Sequence, residues 1–343
     1  MTEMGYNNIF DISKSKKVDV VYTFDDAYAE ISGVAIVSLL ENNREIKSLV
    51  IHVVDCGLSE SSKRKINKIA FTYNREIKYY KAIDVTERIG MKPESGSWSM
   101  VCYVRLFYAE ILPSELERAL HIDCDTIFRG SILDIYETDL EKFYCAACYD
   151  CSPKPKKQAG IDCSVPYISN ALILMNLKKW RQDKVGDMFV QYIREHEGKH
   201  PHLDQDVLNA VFDKAKRILP AQYNMMPITI MYDKLCCNLF KNQPYYTPEE
   251  IKKAVDNPKM IHFVGCRYTR RPWEQPCNHW YNNEWLSYYF TLDYSHTRNL
   301  LVEKKRNWIY LKQFIDLFWI HGSSVPILKN LLFWFDCKFL YKL

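Results

Sequence analysis

Along the first half of the chain, short runs of apolar residues alternate with stretches of helical periodicity. Val18–Phe24 (VDVVYTF) predicts a buried strand, and residues 28–43 predict a helix that stops at the turn-forming pair Asn42-Asn43. Residues 48–55 (SLVIHVVD) predict a second strand, followed by a helix whose start, Ser59-Glu60-Ser61-Ser62, supplies N-cap residues. Residues 77–83 predict a third strand. Such β-α-β-α order implies a parallel sheet with helices on both faces, whose ligands lie beyond the carboxyl ends of the strands. Two of those ends stand out because polar residues abruptly follow apolar ones: Phe24-Asp25-Asp26, and Leu120-His121-Ile122-Asp123-Cys124-Asp125. Residues 132–140 (ILDIYETDL) read as helical, residues 169–177 (SNALILMNL) as another buried strand, and residues 178–196 as one helix after it. From about Ser295 the pattern changes to aromatic-rich helices with basic residues. The chain is thereby divided into an extension over 1–17, a main α/β domain over 18–294 and a small helical region over 295–343.

With 343 residues, 48% apolar and 26% charged, the chain can bury a large core and is neither disordered nor fibrous. The net charge of +4 gives little support to nucleic-acid binding, but its distribution is uneven. Residues 298–343 hold eight Lys/Arg against three Asp/Glu, which leaves the body close to neutral and the tail basic. The twelve cysteines come without an apolar run before Lys17 that could act as a secretory signal, so a reducing, cytoplasmic setting is expected. The longest uncharged stretches, 163–177 and 317–328, fall short of the roughly 18 apolar residues that a spanning helix needs.

Asp123 and Asp125 lie two apart at a strand end, where the period of two turns both side chains to one side, as binding of one hard divalent cation requires. Spacing alone is weak evidence, because a second Asp-x-Asp pair, Asp204 and Asp206, occurs later in the chain. The apolar lead-in to the first pair is what sets it apart. Further on, His262-Phe263-Val264-Gly265 follows an apolar pair and is succeeded by Arg267, Arg270, Arg271, Pro272 and Trp273. The glycine permits close backbone approach and the arginines offer forks suited to phosphate, which together suggest a diphosphate clasp. The alternative for His262 is a ring that merely ends a strand.

Six segments occur in an order that resembles glycosyltransferase family 8, and in particular its bacterial lipopolysaccharide galactosyl- and glucosyltransferases. They are YTFDDAYA from Tyr22, YVRLFYAEILP from Tyr103, HIDCDTIF from His121, SNALILMNLKKW from Ser169, LDQDVLNAVF from Leu203 and HFVG with RPW from His262 to Trp273. The likeness covers about residues 18–285. It implies a GT-A fold, a Rossmann-like mixed sheet flanked by helices. It also implies a UDP-glucose or UDP-galactose donor, Mn²⁺ (with Mg²⁺ possible), and transfer with retention of anomeric configuration.

Carried over position by position, the resemblance makes Asp123, Asp125 and His262 the metal ligands, a mixed carboxylate and imidazole set that suits Mn²⁺ better than an all-oxygen Mg²⁺ site. It places the uracil at Asp25, with Asp26 beside it, and Arg105 on the donor sugar or its phosphate. Asn170, Asp204 and Gln205 are implied to line the sugar pocket, with Gln205 nearest the reacting face of the anomeric carbon. An amide is a poor nucleophile, so same-face attack through an oxocarbenium-like state is expected rather than a covalent intermediate. This chain departs from the family pattern in two places. Ala27 stands where a polar side chain is usual, and the clasp that begins at His262 and contains Gly265 is three residues longer, with Arg271 in place of lysine. Arg267, Arg270 and Arg271 are therefore alternatives for the diphosphate.

Competing readings are a non-catalytic sugar-nucleotide-binding or scaffold protein on the same fold, and a haloacid-dehalogenase-like phosphatase using Asp123 and Asp125. The phosphatase motif normally ends the first strand of its domain, whereas three strands are expected before this one. Cys145, Cys148 and Cys151 resemble a metal-binding run, but a strand over Cys145–Tyr149 would turn Cys145 and Cys148 to opposite faces. The tail carries ten aromatics, among them Trp308, Trp319 and Trp334, beside its cations. That composition suits peripheral attachment to the inner face of an anionic membrane, or else a packed subdomain or dimer contact. The expected acceptor is a glycan or glycolipid.

Overall fold

A computed structural model of the chain describes residues 17–292 apart from 97, 241–242 and 265–268, together with the backbone of Val302–Glu303. The helical region expected over 295–343, with the aromatics expected to serve membrane attachment, therefore lies outside the described residues, Val302–Glu303 aside. So do Gly265 and Arg267.

Of the eleven strands among the described residues, nine build the sheets that carry the site: β1 Val18–Phe24, β2 Leu49–Asp55, β3 Glu76–Lys81, β4 Arg118–Ile122, β5 Thr126–Phe128, β6 Cys145–Tyr149, β7 Ile168–Asn176, β8 Lys216–Ile218 and β9 Met260–His262. Seven of them form one sheet in the order β3-β2-β1-β4-β7-β6-β8, while β5 and β9 pair separately. The first four main strands run parallel, as the β-α-β-α pattern predicts. β7 runs antiparallel to both β4 and β6, so the complete sheet is mixed. Helices cover both faces, and the strands are accordingly apolar on both sides. Val18, Val20, Tyr22 and Phe24 of β1 join one core cluster and Val21 joins the other.

Local signals placed the first helices well. Ser59 caps the helix Glu60–Thr72, its hydroxyl accepting from the backbone N–H of Ser62. Two helical expectations are corrected. The stretch 132–140 forms only the single turn Leu133–Tyr136. The helix expected over 178–196 is two, Leu177–Gln182 and Val185–Glu195, because Lys184 between them takes a left-handed conformation with φ 51°. Cys145 and Cys148 do face opposite sides of the sheet, one in each core cluster, and burial pushes both thiols up to about 12.

Just before the last described helix, Asn282–Tyr289, and against the Phe263 ring, His279 is 4% exposed, and its Nδ1 accepts the N–H of Tyr281 at 3.2 Å. Burial pushes this imidazole down to about 3, and the N–H aimed at Nδ1 leaves no room there for a proton. The unfolded chain takes that proton below its ordinary pKa near about 6.5, and the folded chain does not until about pH 3. Stability is therefore lost as pH falls from about 6.5, by about 2 kcal/mol at pH 5 from this group. Urea unfolding at pH 7.5 and pH 5 should show a loss smaller by about that amount in His279→Asn, whose amide oxygen can still accept from Tyr281. An equal loss in both proteins would contradict this.

Candidate functional site

The chain leaves β1 toward β2 on one side while β4 lies on the other, so the carboxyl ends of β1 and β4 border a topological switch point. Both polar strand ends read from the sequence meet there. At the end of β1, Asp25 accepts the N–H of Tyr28 at 3.3 Å and caps the 3-10 turn Asp26–Tyr28. Asp26 accepts the N–H of Ser59 at 2.9 Å. Both carboxylates thus sit at the strand end, steadied by backbone donors.

Strand β4 stops at Ile122, so Asp123-Cys124-Asp125 is the turn between β4 and β5, not part of a strand. The two carboxylates nonetheless share a side, because Cys124 is buried in the core between them. The turn is held by the N–H of Asp123 donating to Ala171 O at 2.8 Å and the Thr126 hydroxyl donating to Asp123 O at 2.8 Å. β5 then pairs antiparallel with β9 so that Thr126 stands opposite His262, and the N–H of Phe263 donates to Asp125 O at 2.8 Å. That register delivers the imidazole to the carboxylates: ligand atoms of Asp123, Asp125 and His262 all lie within 4.8 Å of one another.

The donor set fits one divalent cation. His262 Nδ1 donates to Asn224 Oδ1 at 3.1 Å, which leaves Nε2 facing Asp125 Oδ1, 3.2 Å away. Burial opposes charge on this ring, but the carboxylates of Asp125 and Asp123 outweigh it and hold the imidazole above its ordinary value. Two carboxylates and an imidazole converging in this way could hold one divalent transition-metal ion. Arg271 reaches toward the same place, with Nη2 3.9 Å from Asp125 Oδ2 and its guanidinium over the Trp273 ring. Arg270 points elsewhere: 7% exposed, it donates to the carbonyl of Gln275 at 3.3 Å. Of the two arginines described, Arg271 is the one facing the metal set.

A second cluster adjoins the first through Arg105. Its Nη1 lies 2.9 Å from Asp123 Oδ1, its Nε lies 3.2 Å from Asp204 Oδ2, and Nη1 also donates to the carbonyl of Asn170 at 2.9 Å. Burial disfavours charge on all three groups, but Arg105 holds the Asp123 carboxyl well below the usual carboxylate range. Asp204 is deeper, and burial pushes it up to about 6 in spite of Arg105. The helix Leu203–Phe212 carries Asp204 and Gln205 to this point. Asn170 joins them, its amide donating to Asp204 Oδ2 at 2.6 Å and its backbone N–H to Gln205 Oε1 at 3.2 Å. Asp206, the second half of the other Asp-x-Asp pair, faces away from Asp204 and accepts from the Tyr167 hydroxyl at 2.5 Å and from the N–H of His202 at 2.8 Å.

Sequence reading missed the supporting residues. Asp150 accepts from Gln205 Nε2 at 3.1 Å, and burial holds its carboxyl above the ordinary value. Tyr167 also receives the Gln205 amide, at 3.3 Å. Asn224 orients His262, and His121 touches both Arg105 and Asp123. Asp150 carries the same signal that exposed Asp25 and Asp123, a carboxylate directly after an apolar strand. The others carry none outside their tertiary setting.

The profile of glycosyl transferase family 8 matches residues 19–277, which contain every described residue of both clusters. Lipopolysaccharide 1,2-glucosyltransferase of Escherichia coli is 24% identical over 323 residues, 89% of each chain. Lipopolysaccharide 1,3-galactosyltransferase of Salmonella typhimurium is 23% identical, covering 76% of this chain and 74% of that one. Among solved structures, galactosyltransferase LgtC in complex with donor and acceptor sugar analogues superposes with a TM-score of 0.67. It is 22% identical and covers 80% of this chain and 96% of that one. The mixed sheet and its flanking helices are the GT-A fold, and the chain belongs to glycosyl transferase family 8.

Proposed function

We propose that this protein is a retaining hexosyltransferase that moves glucose or galactose from a UDP-sugar to a growing surface glycan or glycolipid, with Mn²⁺ preferred over Mg²⁺. The observation that carries the reading is the convergence of Asp123, Asp125 and His262 beside Arg271, joined by Arg105 to the pocket of Asn170, Asp204 and Gln205. A divalent cation on the first three residues supplies positive charge opposite the leaving diphosphate. Arg271 adds a second cation on the same side, and Asp25 with Asp26 receives the uracil at the end of β1.

In the sugar pocket, both ends of the Gln205 amide are tethered. Its nitrogen donates to Asp150 and Tyr167, and its oxygen accepts from Asn170. Held in this way, the amide oxygen steadies charge developing at the anomeric carbon without forming a bond to it, and the acceptor hydroxyl attacks from the face the diphosphate leaves. The region 18–294 is read as the catalytic unit, and the basic aromatic region 295–343 as a peripheral attachment to the inner face of the cytoplasmic membrane. Among the described residues no helix is long and apolar enough to cross a membrane.

Hydrolysis of a panel of UDP-sugars with Mn²⁺ tests the donor assignment. UDP-glucose or UDP-galactose should be cleaved fastest, and transfer from the α-linked donor should yield an α-linked product, read from the anomeric proton coupling by NMR. A β-linked product, or no cleavage of any UDP-hexose, would remove the assignment.

A further inference from the structure

Behind Asp123 lies a buried line of groups to which donor binding gives no role. The hydroxyls of Thr23, near the end of β1, and Tyr108 are in contact. Tyr108 Oη lies 2.9 Å from His121 Nδ1, and His121 Nε2 lies 3.1 Å from Asp123 Oδ1. Tyr108 is 0% and His121 1% exposed, so water does not reach this line. Arg105 Nη1 stands 2.9 Å from both His121 Nε2 and Asp123 Oδ1.

The partner set assigns the protons. A guanidinium only donates: one hydrogen on Arg105 Nη1 goes to Asn170 O at 2.9 Å, and the other side of Nη1 faces both His121 Nε2 and its ion-pair partner Asp123 Oδ1, each 2.9 Å away, of which the carboxylate is the stronger acceptor. With the charge of Arg105 drawn to the carboxylate, the tautomer we assign to His121 gives Nε2–H to Asp123 at 3.1 Å and accepts the Tyr108 hydroxyl proton at Nδ1, and Tyr108 then accepts from Thr23. Every donation runs toward the one carboxylate, and in a dry interior each strengthens the next. Oδ1 of Asp123 thus meets the imidazole and the guanidinium on its core side, which restrains the carboxylate's orientation.

We propose that His121 is a positioning residue: through Nε2, and backed by Tyr108 and Thr23, it holds Asp123 in the orientation that a divalent cation on Asp123, Asp125 and His262 requires. The inference rests on the cation-site reading above. Orientation of a metal ligand by such an outer partner is typically worth about tenfold to hundredfold in metal affinity.

The test uses full-length protein stripped with EDTA and titrated with Mn²⁺ alone, free Mn²⁺ being followed by electron paramagnetic resonance. A glutamine amide can place its nitrogen near the imidazole Nε2, whereas an asparagine amide reaches only the Nδ1 position. His121→Gln should bind Mn²⁺ within about threefold of wild type, and His121→Asn should bind about tenfold to hundredfold more weakly. Tyr108→Phe, which keeps the ring but removes the donor to Nδ1, should weaken binding severalfold and carries the test if the His121 variants fail to fold. Wild-type affinity in His121→Asn, equal losses in both His121 variants, or wild-type affinity in Tyr108→Phe would overturn the proposal. If wild type binds no Mn²⁺, the cation-site reading falls and this inference with it. Wild-type binding of Mn²⁺ that His121→Asn leaves unchanged removes this inference alone.

Discussion

Asp125→Ala should abolish turnover, with a loss of about a thousandfold or more in kcat, and should remove Mn²⁺-dependent binding of UDP. Asp125 is the carboxylate that faces both the imidazole of His262 and the guanidinium of Arg271. Without it, a cation keeps one carboxylate and a ring, and Arg271 loses its only described ion-pair partner. The fold should survive. The Asp125 side chain carries no described hydrogen bond to a structural group, and the bond that ties the turn to β9 uses its backbone carbonyl, which alanine retains. Thermal unfolding should therefore stay within a few degrees of wild type while activity disappears. Full activity of the variant in the presence of EDTA would sink both the metal reading and the role of Asp125.

The second large effect is expected at Arg105, and it should appear in stability as well as in rate. Arg105 is buried between Asp123 and Asp204, and it is the ion-pair partner that joins them. Arg105→Ala leaves the buried Asp204 and the half-buried Asp123 facing a gap, a change of the kind that costs about 3–5 kcal/mol. The sign of the pH dependence follows from the carboxylates. With the guanidinium gone, Asp204 is pushed further above its unfolded value and Asp123 loses the cation that held it below, so the folded variant binds more protons than folded wild type as pH falls. Its deficit against wild type should be largest near pH 7.5 and shrink as pH falls toward 5. Adding Asp204→Asn, which removes one of the stranded charges, should restore much of the stability but not the rate, because the donor pocket still lacks its cation. Urea unfolding at the two pH values, with kcat measured on the double variant, checks both parts. A deficit that does not change with pH would show that lost packing, not charge, dominates at Arg105.

The cluster proposed to hold a cation and the one proposed to receive the sugar meet at the end of β4 because Arg105 touches both, and neither is complete on its own stretch of chain. Asp123 and Asp125 are legible as a pair from their spacing, yet the reason the spacing suggested was only partly right. Strand alternation does not act in a turn; burial of Cys124 is what puts both carboxylates on one side. The choice among the clasp arginines was open in the sequence; of the two described, Arg271 faces Asp125 whereas Arg270 is drawn into its own loop by the Gln275 carbonyl.

What the amino-acid sequence determined by itself is whatever depends on neighbours a few residues away: the buried strands β1, β2 and β7, the capped helix after Ser59, the polar ends of β1 and β4, and the order of motifs that marks the family. Those features are local because burial repeats with a period of two or about 3.6 residues and capping spans a single turn. Only the tertiary structure decided that β7 runs against its neighbours, that β9 pairs with β5 in the register that sets His262 opposite Thr126, and that Arg105, His121 and Asp204 close around Asp123. A side chain's partners across a core depend on strand register and helix placement, and a shift of one residue in that register would turn His262 to the other face of its strand.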